Sequence, residues 1–275
     1  MGEYQEINLN TSHAFAFQEL NDVTLLITHY NRSKSLEQLL TNLHSLDICF
    51  NSIVVSDDCS SSEHLKYLQV LQKQYHFKLC TTPINKGLGN NINKGQDLIK
   101  TPYTLYIQED FTPSKEFKKR LLTAVDLLYA NQEYDMVRFY AYNKYPYLIP
   151  HINGFSKMVF KWWYPGLGKF AYYSDHPHLR RTSFFSKFGK YKEGISGDQT
   201  EFSMMLSFIQ NKGKAFFYEE FQSLLFQANS TAEPSTMKRD FWRNSNNFFV
   251  KMLRVLFRYS KFYISYFFIN HRSKS

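Results

Sequence analysis

The 275-residue sequence lacks any uninterrupted apolar run of the roughly 18–20 residues that a membrane-spanning helix needs. It contains only three cysteines, Cys49, Cys59 and Cys80, in a spacing that does not suit a metal site, so we expect free thiols in a reducing cytosol. The opening segment MGEYQEINLN lacks the basic region and apolar run of a secretory signal. We therefore expect a cytoplasmic protein without a membrane-spanning helix.

Several short motifs are also absent. The sequence has no G-x-S-x-G nucleophile motif and no P-loop. The segment GLGNNI (87–92) lacks the third small residue of a dinucleotide fingerprint, which argues against an NAD site. His176 and His178 flank Pro177, and an isolated H-P-H pattern is more typical of a loop than of a zinc site.

The net charge of +9 is concentrated at one end of the chain. From Lys238 to Ser275 there are nine Lys or Arg and one Asp, so this tail carries +8 and the rest of the chain about +1. A nearly neutral body argues against a nucleic-acid-binding protein and moves the question of a charged partner to the tail.

Apolar strand-like runs alternate with amphipathic helices through the first half of the sequence. This pattern predicts a parallel sheet covered by helices on both faces. The spacing predicts strands over 22–30, 52–58, 77–82, 103–110 and 135–142, and helices over 33–46, 61–75, 114–132 and 196–213, with Ser33 as an N-cap. It also predicts a Gly-containing turn that runs into a further helix within 85–100. Residues 1–20 read as a polar lead-in, and 143–190 as irregular structure on the substrate side.

Three predicted strands end in polar side chains. They are Thr28-His29-Tyr30-Asn31, Asp57-Asp58 and Gln108-Glu109-Asp110. Because ligands of such folds bind beyond the carboxyl ends of the strands, we expect these groups to line one cleft, where the carboxylates can bind a cation.

Four segments in order carry a resemblance to a known family. VTLLITHYNR, SIVVSDDCSS, NKGLGNNINKG and the strand ending in QED resemble the family 2 glycosyltransferases with the GT-A fold, as does the later stretch 176–206. The likeness extends over about residues 22–230. It implies a GT-A-type, Rossmann-like and mostly parallel α/β sheet. We expect this domain over 21–235, after a lead-in over 1–20 and before a basic, aromatic helical tail over 236–275. The likeness also implies transfer of a sugar from a nucleotide-sugar donor to an acceptor hydroxyl, with inversion.

The resemblance assigns roles to individual residues. Thr28, Tyr30 and Asn31 match the strand end that lines the nucleotide pocket; Asp58, with Asp57 beside it, matches the acid that binds the base; Asn85, Gly87 and Asn93 match the segment near the ribose and diphosphate; Asp110 matches the last acid of the metal-binding D-x-D signature; and Asp198 matches the general base.

The sequence departs from the family pattern at two positions. Gln108 replaces the first signature acid; it can still hydrogen-bond a ribose hydroxyl, but metal binding then depends on Asp110 with Glu109. Ile92 replaces the usual Arg before Asn93, and Lys86 or Lys94 is the candidate substitute.

The chemistry also follows from the residue types. Carboxylates beside a diphosphate need a cation between them, and Mg²⁺ or Mn²⁺ prefers oxygen ligands. Such an ion stabilises the leaving diphosphate, while inversion needs a base on the opposite face of the sugar. Simpler readings remain open at this stage: Asp57-Asp58 as turn residues, Glu109-Asp110 as a solvated strand end, and Asp198 as an N-cap.

The tail predicts an amphipathic helix. An aromatic face is formed by Phe248, Phe249, Met252, Leu256, Tyr259, Phe262, Tyr263 and Tyr266, and a basic stripe by Lys251, Arg254, Arg258 and Lys261. This pattern favours a helix lying in a membrane surface, and the alternative is packing on the catalytic domain or on a second subunit. Trp162 and Trp163 suit either stacking on an acceptor sugar or anchoring a loop.

The sequence thus predicts an inverting glycosyltransferase on the inner face of the membrane. The expected donor is a uridine-diphosphate sugar, and the expected acceptor is a saccharide or a lipid-linked molecule of surface-polysaccharide or glycolipid synthesis. The competing prediction is a non-catalytic relative that binds nucleotide or partner proteins, which the neutral Gln108 keeps open.

Overall fold

The computed structural model describes residues 20–227 and 248–270. The strands are β1 (Leu20–His29), β2 (Phe50–Asp57), β3 (Lys78–Cys80), β4 (Tyr103–Gln108), β5 (Phe111–Pro113), β6 (Met136–Arg138), β7 (Leu148–Ile152), β8 (Phe155–Met158), β9 (His178–Arg181), β10 (Ala215–Tyr218) and β11 (Leu225–Gln227). The helices are α1 (Ser33–Ser45), α2 (Ser62–Tyr75), α3 (Gly87–Gln96), α4 (Phe117–Ala130), α5 (Phe184–Phe188), α6 (Gly197–Gln210) and α7 (Phe248–Phe268), with short 3-10 helices at Leu167–Ala171 and Phe221–Ser223.

A central sheet organises the described part of the chain. Its nine strands follow the order β3-β2-β1-β4-β9-β6-β10-β8-β7. β1 pairs in parallel with β2 and β4, and only β9 and β8 run against the common direction of the described strands. β5 and β11 form a separate antiparallel pair. The predicted mostly parallel sheet flanked by helices is confirmed.

The central strands are buried on both faces, which explains their continuous apolar sequences. Along β1, Leu25 and Ile27 join a core with α1, α2 and α4, whereas Leu26 joins a second core with α3, α6 and α7. Successive side chains therefore face opposite layers, as the period of a strand requires.

The start of α1 differs from the prediction. Ser33 was expected as the N-cap, but Arg32 occupies that position and Ser33 is the first helical residue. The Ser33 hydroxyl lies 2.8 Å from His64 Nδ1 and so joins α1 to α2. The expectation for Ser33 is wrong because its hydroxyl bonds a neighbouring helix instead of the N–H groups of its own first turn.

The region 143–190 is more regular than expected. It contains β7, β8, β9 and α5, and β9 lies between β4 and β6 in the central sheet. Asn153 and Gly154 join β7 to β8 with φ values of 53° and 82°. An Asn-Gly pair with positive φ at both positions forms the tight turn of a hairpin, so this dipeptide was an available signal.

The tail helix α7 packs on the domain through one of its faces. Phe262 is buried and stacks on Phe170 at 4.0 Å, and Tyr259 and Tyr266 also lie on this side. Lys169 is buried, and its Nζ donates to Tyr263 Oη at 2.7 Å. Half of the aromatic face predicted to meet a membrane therefore contacts protein, because these rings cover the apolar side of the 3-10 helix at Leu167–Ala171.

The rest of the predicted tail is only partly described. Within the described residues, no helix is both long and apolar enough to cross a membrane. Residues 1–19, 228–247 and 271–275, and the side chains of Phe248, Phe249 and Lys251, lie outside the described part.

Candidate active site

The three polar strand ends lie side by side at one edge of the sheet. Thr28 of β1 is in register with Ser56 of β2 and with Gln108 of β4, and His29 is in register with Asp57. Thr28 is buried, and its Oγ1 lies 3.1 Å from Tyr106 Oη, whereas Gln108 at the end of β4 is half-buried. The parallel pairing thus brings together the polar groups that we expected, from the sequence, to lie at one edge of the sheet.

Asp57 holds the loops after β1 and β2. Its buried carboxylate accepts hydrogen bonds from His29 Nδ1 at 2.8 Å, from the Ser60 amide and hydroxyl at 3.1 and 2.5 Å, and from Thr81 Oγ1 at 2.9 Å. Burial raises the pKa of Asp57, but the bonds from His29 and Ser60 outweigh burial and lower it to about 2. The carboxylate is therefore ionised and directed at protein donors.

Asp58 contacts the segment that begins α3. Its Oδ1 accepts from the Lys86 amide at 2.8 Å, and its Oδ2 accepts from the Gly87 amide at 2.8 Å. Asn85 Oδ1 also accepts from Gly87, which has a φ of 82°. Asp58 thus fixes the loop that precedes the helix, where backbone amides favour negative charge.

Asn31 joins the ends of β1 and β2. Its amide donates to Ser60 Oγ at 2.8 Å, and its Oδ1 accepts from the Ser61 amide at 2.7 Å. Its φ of 52° lies in the left-handed region, which Asn tolerates better than most residues. The neighbouring Tyr30 is half-buried at the edge of the cleft.

Asn93 fastens α3 to the loop before α6. Its Nδ2 donates to Tyr191 O and to Glu193 Oε1, both at 2.9 Å, and its Oδ1 accepts from the Tyr191 amide at 3.0 Å. The adjacent Ile92 is fully buried in the core. An Arg at this position would have to bury its charge, which is costly without a partner. Lys94 is half-buried, its Nζ donates to Asp57 O at 2.5 Å, and burial lowers its pKa.

The acids after β4 meet a cation that belongs to the chain itself. Arg32 Nη1 lies 2.9 Å from Asp110 Oδ2 and 3.8 Å from Glu109 Oε1. Gln227 Nε2, at the end of β11, donates to the same Asp110 Oδ2 at 2.9 Å. Asp110 Oδ1 is buried and has no hydrogen-bond partner among the described residues.

Asp198 is the second residue of α6 and is half-buried. Ser196 occupies the N-cap position, so the alternative of Asp198 as an N-cap is wrong. The charge of Asp198 helps to raise the pKa of both Asp175 and Glu201. Asp198 therefore belongs to a group of three carboxyl side chains.

The sequence did not single out Asp175, Glu201 or Arg138. Burial, followed by the charge of Glu201, raises the pKa of Asp175 well above its ordinary value. Burial also raises the pKa of Glu201, and the positive charge of the nearby Arg138 offsets part of this rise. Burial lowers the pKa of Arg138 to about 10, and its Nη2 donates to Ser174 Oγ at 3.0 Å. Only the spacing of Glu201 three residues after Asp198 was available as a signal, since it places both on one helix face.

Tyr106 lies between the strand ends and this carboxyl group. Burial raises the pKa of Tyr106 well above its ordinary value, and the charges of Asp175 and Glu109 both raise it further. Tyr106 Oη also contacts Thr28 at the end of β1. Tyr106 therefore links the end of β1 with Glu109 after β4 and with Asp175. His176 nearby is held neutral because burial, and then Arg138, lower its pKa to about 3.

Comparison with known proteins gives the family. Residues 24–197, more than half of the chain, match the sequence family described as "Glycosyl transferase family 2". The chain belongs to this family. The resemblance seen in the sequence is thereby confirmed, and the chain carries a family 2 glycosyltransferase domain.

Its curated relatives are distant. The chain is 24% identical over 93 residues to a poly-beta-1,6-N-acetyl-D-glucosamine synthase of Staphylococcus epidermidis, and that stretch is 34% of this chain and 23% of the relative. A synthase of the same name from Staphylococcus aureus is 24% identical over 103 residues, or 38% and 25%. The match thus spans about a quarter of the length of these relatives.

Solved structures share the fold. S. aureus TarS 1–349 in complex with UDP-GlcNAc has a TM-score of 0.59 and 15% identity, covering 89% of this chain and 73% of that one. The mannosyltransferase PcManGT from Pyrobaculum calidifontis, in complex with GDP-Man and Mn²⁺, has a TM-score of 0.50 and 13% identity, covering 70% and 53%. At these identities the likeness concerns the fold alone.

Proposed function

We propose that the protein is an inverting glycosyltransferase that moves a sugar from a uridine-diphosphate donor to an acceptor hydroxyl. The observation that carries the proposal is the side-by-side position of the polar ends of β1, β2 and β4, in a chain of glycosyl transferase family 2. The donor class is suggested by the structurally similar TarS, which binds UDP-GlcNAc.

In this proposal Asp198 is the general base. Inversion requires a group that removes the acceptor's proton on the side of the sugar opposite the leaving diphosphate. Asp198 lies in the first turn of α6, and its charge acts on the neighbouring carboxyl groups of Asp175 and Glu201. The positive charge of Arg138, which lies near Glu201, offsets part of the negative charge beside this base.

The proposed nucleotide pocket lies at the strand ends. Thr28, Tyr30 and Asn31 line one side, Asp58 with Asn85 and Gly87 the other, and Gln108 reaches the ribose. Asp57 and Asn93 act indirectly, since each directs its side chain at protein groups: Asp57 positions the β2 loop and Asn93 positions the loop before α6.

The residues after β4 fit a divalent ion that arrives with the donor. Within the described residues, no group of three His, Cys, Asp or Glu side chains could hold a metal ion alone. Asp110 Oδ1, buried and without a partner, is the proposed protein ligand, with Glu109 beside it. Mg²⁺ or Mn²⁺ commonly takes one or two carboxylates and completes its shell with phosphate and water. When bound, such an ion would stabilise the charge of the leaving diphosphate.

The test of this proposal is the variant Asp198→Asn. We expect transfer from a UDP-sugar to fall by about three orders of magnitude, because a general base contributes about 10²–10⁴-fold. UDP binding, measured by calorimetry, should stay within about twofold. Asp97→Asn is the matched control, since the Asp97 carboxylate forms an exposed pair with Lys190. Equal turnover of wild type and Asp198→Asn would remove Asp198 as the base.

A non-catalytic, nucleotide-binding protein is the second candidate. The neutral Gln108 and the contact of Arg32 with Asp110 favour it, because both reduce the negative charge at the signature. Hydrolysis of nucleotide sugars from a panel, in the presence of Mn²⁺, distinguishes the two candidates. Binding of UDP without hydrolysis or transfer of any donor would support the second one.

We further propose that the outward face of α7 rests on an anionic membrane at the inner face of the cell envelope. The exposed apolar residues of this face are Leu253, Leu256, Phe257, Ile264, Phe267 and Phe268. Trp162 and Trp163 extend it, with 45% and 59% of their surfaces exposed and the Trp162 ring 5.7 Å from Phe267. Arg258 and Lys261 border it with positive charge.

This pattern fits a helix lying in the lipid interface, and a lipid-linked acceptor would then be within reach. Anionic lipid contributes about 1 kcal/mol for each basic residue near the surface, and burial of a large apolar side chain about 1.5–3 kcal/mol. In this reading Trp162 and Trp163 contact lipid instead of an acceptor sugar.

Vesicle sedimentation tests the membrane proposal. We expect the double variant Trp163→Ser/Phe268→Ser to bind vesicles containing phosphatidylglycerol at least about tenfold more weakly than wild type. Tyr129→Ser, which removes an exposed aromatic from α4, is the control and should bind normally. Unchanged binding of the double variant would contradict the proposal. If the molecular mass in solution doubled as the protein concentration rose, and the double variant stayed monomeric, a second copy of the chain would be the partner of this face of α7.

A further inference from the structure

Arg32 is placed between the two acids that the sequence assigns to a metal ion. The side chains of Arg32, Asp110 and Glu109 are 7%, 7% and 11% exposed, so the three charges meet away from bulk water. A guanidinium offers donors in a planar fork that matches carboxylate geometry, so Arg32 suits this position between acids.

The surrounding structure fixes this arginine. The Arg32 amide donates to His29 Nε2 at 3.2 Å, and His29 Nδ1 contacts Asp57. The network runs from β2 through the end of β1 to the N-cap of α1, and the Arg32 side chain meets the acids that follow β4. Gln227 adds a second, neutral donor to Asp110 Oδ2, while Asp110 Oδ1 keeps no described partner.

We propose that Arg32 is a built-in counter-ion that excludes free divalent metal from Glu109 and Asp110 until a nucleotide diphosphate binds. A free dication at Asp110 Oδ1 would stand close to the guanidinium, and like charges repel strongly at a partly buried site. A diphosphate supplies new negative charge and is a preferred bidentate partner of arginine. Arg32 then exchanges its contact with Asp110 for phosphate oxygens, and the carboxylate becomes available to the ion.

The inference rests on the proposed nucleotide site, but its test does not require sugar transfer. The measurement is Mn²⁺ binding. It is monitored through the electron paramagnetic resonance signal of the free ion, with MnCl₂ alone and with MnCl₂ plus UDP. For wild-type protein we expect Mn²⁺ to bind at least tenfold more tightly with UDP than without it. Equal binding under the two conditions would overturn the inference.

Variants of the arginine give the second comparison. We expect Arg32→Met to bind Mn²⁺ alone at least tenfold more tightly than wild type, Arg32→Lys to behave as wild type, and the double variant Arg32→Met/Asp110→Asn to lose the gain. Arg120→Met is the matched control, because the described contacts of Arg120 are with Glu116 at 3.9 Å, Asn153 O and the Tyr218 ring, and none is with Glu109 or Asp110. A gain that survives Asp110→Asn, or no gain in Arg32→Met, would overturn the inference.

Thermal unfolding shows whether the Arg32→Met variant is folded, so that misfolding is not mistaken for an effect on Mn²⁺ binding. Removing Arg32 leaves two buried carboxylates without their cation, which destabilises the fold. Mn²⁺ should therefore raise the melting temperature of Arg32→Met and leave that of wild type unchanged in the absence of UDP. If Mn²⁺ binding follows these expectations while no donor is transferred, the inference stands and the proposed transferase activity fails.

Discussion

Replacing Asp57 with Asn tests whether this carboxylate positions loops or contacts nucleotide. The family resemblance places Asp57 in the nucleotide pocket, but its oxygens accept from His29, Ser60 and Thr81. An Asn side chain has one acceptor oxygen, and its NH₂ group would face donors that it cannot accept from. The variant should therefore lose stability while the folded protein still binds UDP.

The pKa of Asp57 gives the magnitude. The ordinary value is 3.8 and the value in the folded protein about 2, a difference that corresponds to about 2.5 kcal/mol at about 1.36 kcal/mol for each pH unit. Because the folded pKa is the lower one, this stability is fully present above pH 3.8 and is lost as the pH falls towards 2. The variant carries no charge at this position, so its deficit should shrink over the same interval.

Urea unfolding at pH 7 and at pH 2.5 measures the effect. We expect Asp57→Asn to be about 2–3 kcal/mol less stable than wild type at pH 7, and the gap to narrow at pH 2.5. Asp97→Asn, which disrupts an exposed pair with Lys190, should change stability by less than about 1 kcal/mol at either pH. A deficit independent of pH, or a loss of UDP affinity in the folded variant of more than about tenfold, would refute the reasoning.

Two further substitutions probe how the site and tail are held. A Cβ on Gly89 would lie 2.3 Å from Lys192 O, so Gly89→Ala should cost about 1–3 kcal/mol in thermal or urea unfolding; Gly197→Ala, whose nearest neighbour is 3.8 Å away, should be neutral, and equal effects would contradict this. Lys169→Met removes three hydrogen bonds, including one to Tyr263, and should increase hydrogen exchange in α7 about tenfold or more; protection equal to wild type would show that the aromatic contacts suffice.

The order of elements was predictable as far as the alternation of strands and helices persists. From β1 to α4 the observed boundaries lie close to those expected, because each strand is a short apolar run and each helix has a regular apolar stripe. The hairpin of β7 and β8 was missed, since its strands have only five and four residues and most of β7 is exposed. The Asn153-Gly154 dipeptide was the one local signal, but it predicts the turn and not the two strands that the turn joins.

The roles of neighbouring polar residues were less predictable than their positions. Asp57 and Asp58 are adjacent, yet Asp57 meets His29 and Thr81 whereas Asp58 meets the start of α3. Consecutive side chains at a strand end point in different directions, so each of the two carboxylates meets donors from a different segment of the chain. A sequence motif marks both acids but does not state which donors surround each of them.

The same reasoning explains why Arg32 could not be recognised in advance. In sequence it follows Asn31 and reads as a solvated residue at a helix start, 78 positions from Asp110. Its meeting with Asp110 depends on the parallel register of β1 and β4, which aligns Thr28 with Gln108 and so puts the first turn of α1 over the acids that follow β4. A sequence that carries an acidic signature for a metal can therefore also carry the cation that competes for it, and the affinity of the site for metal is set by both.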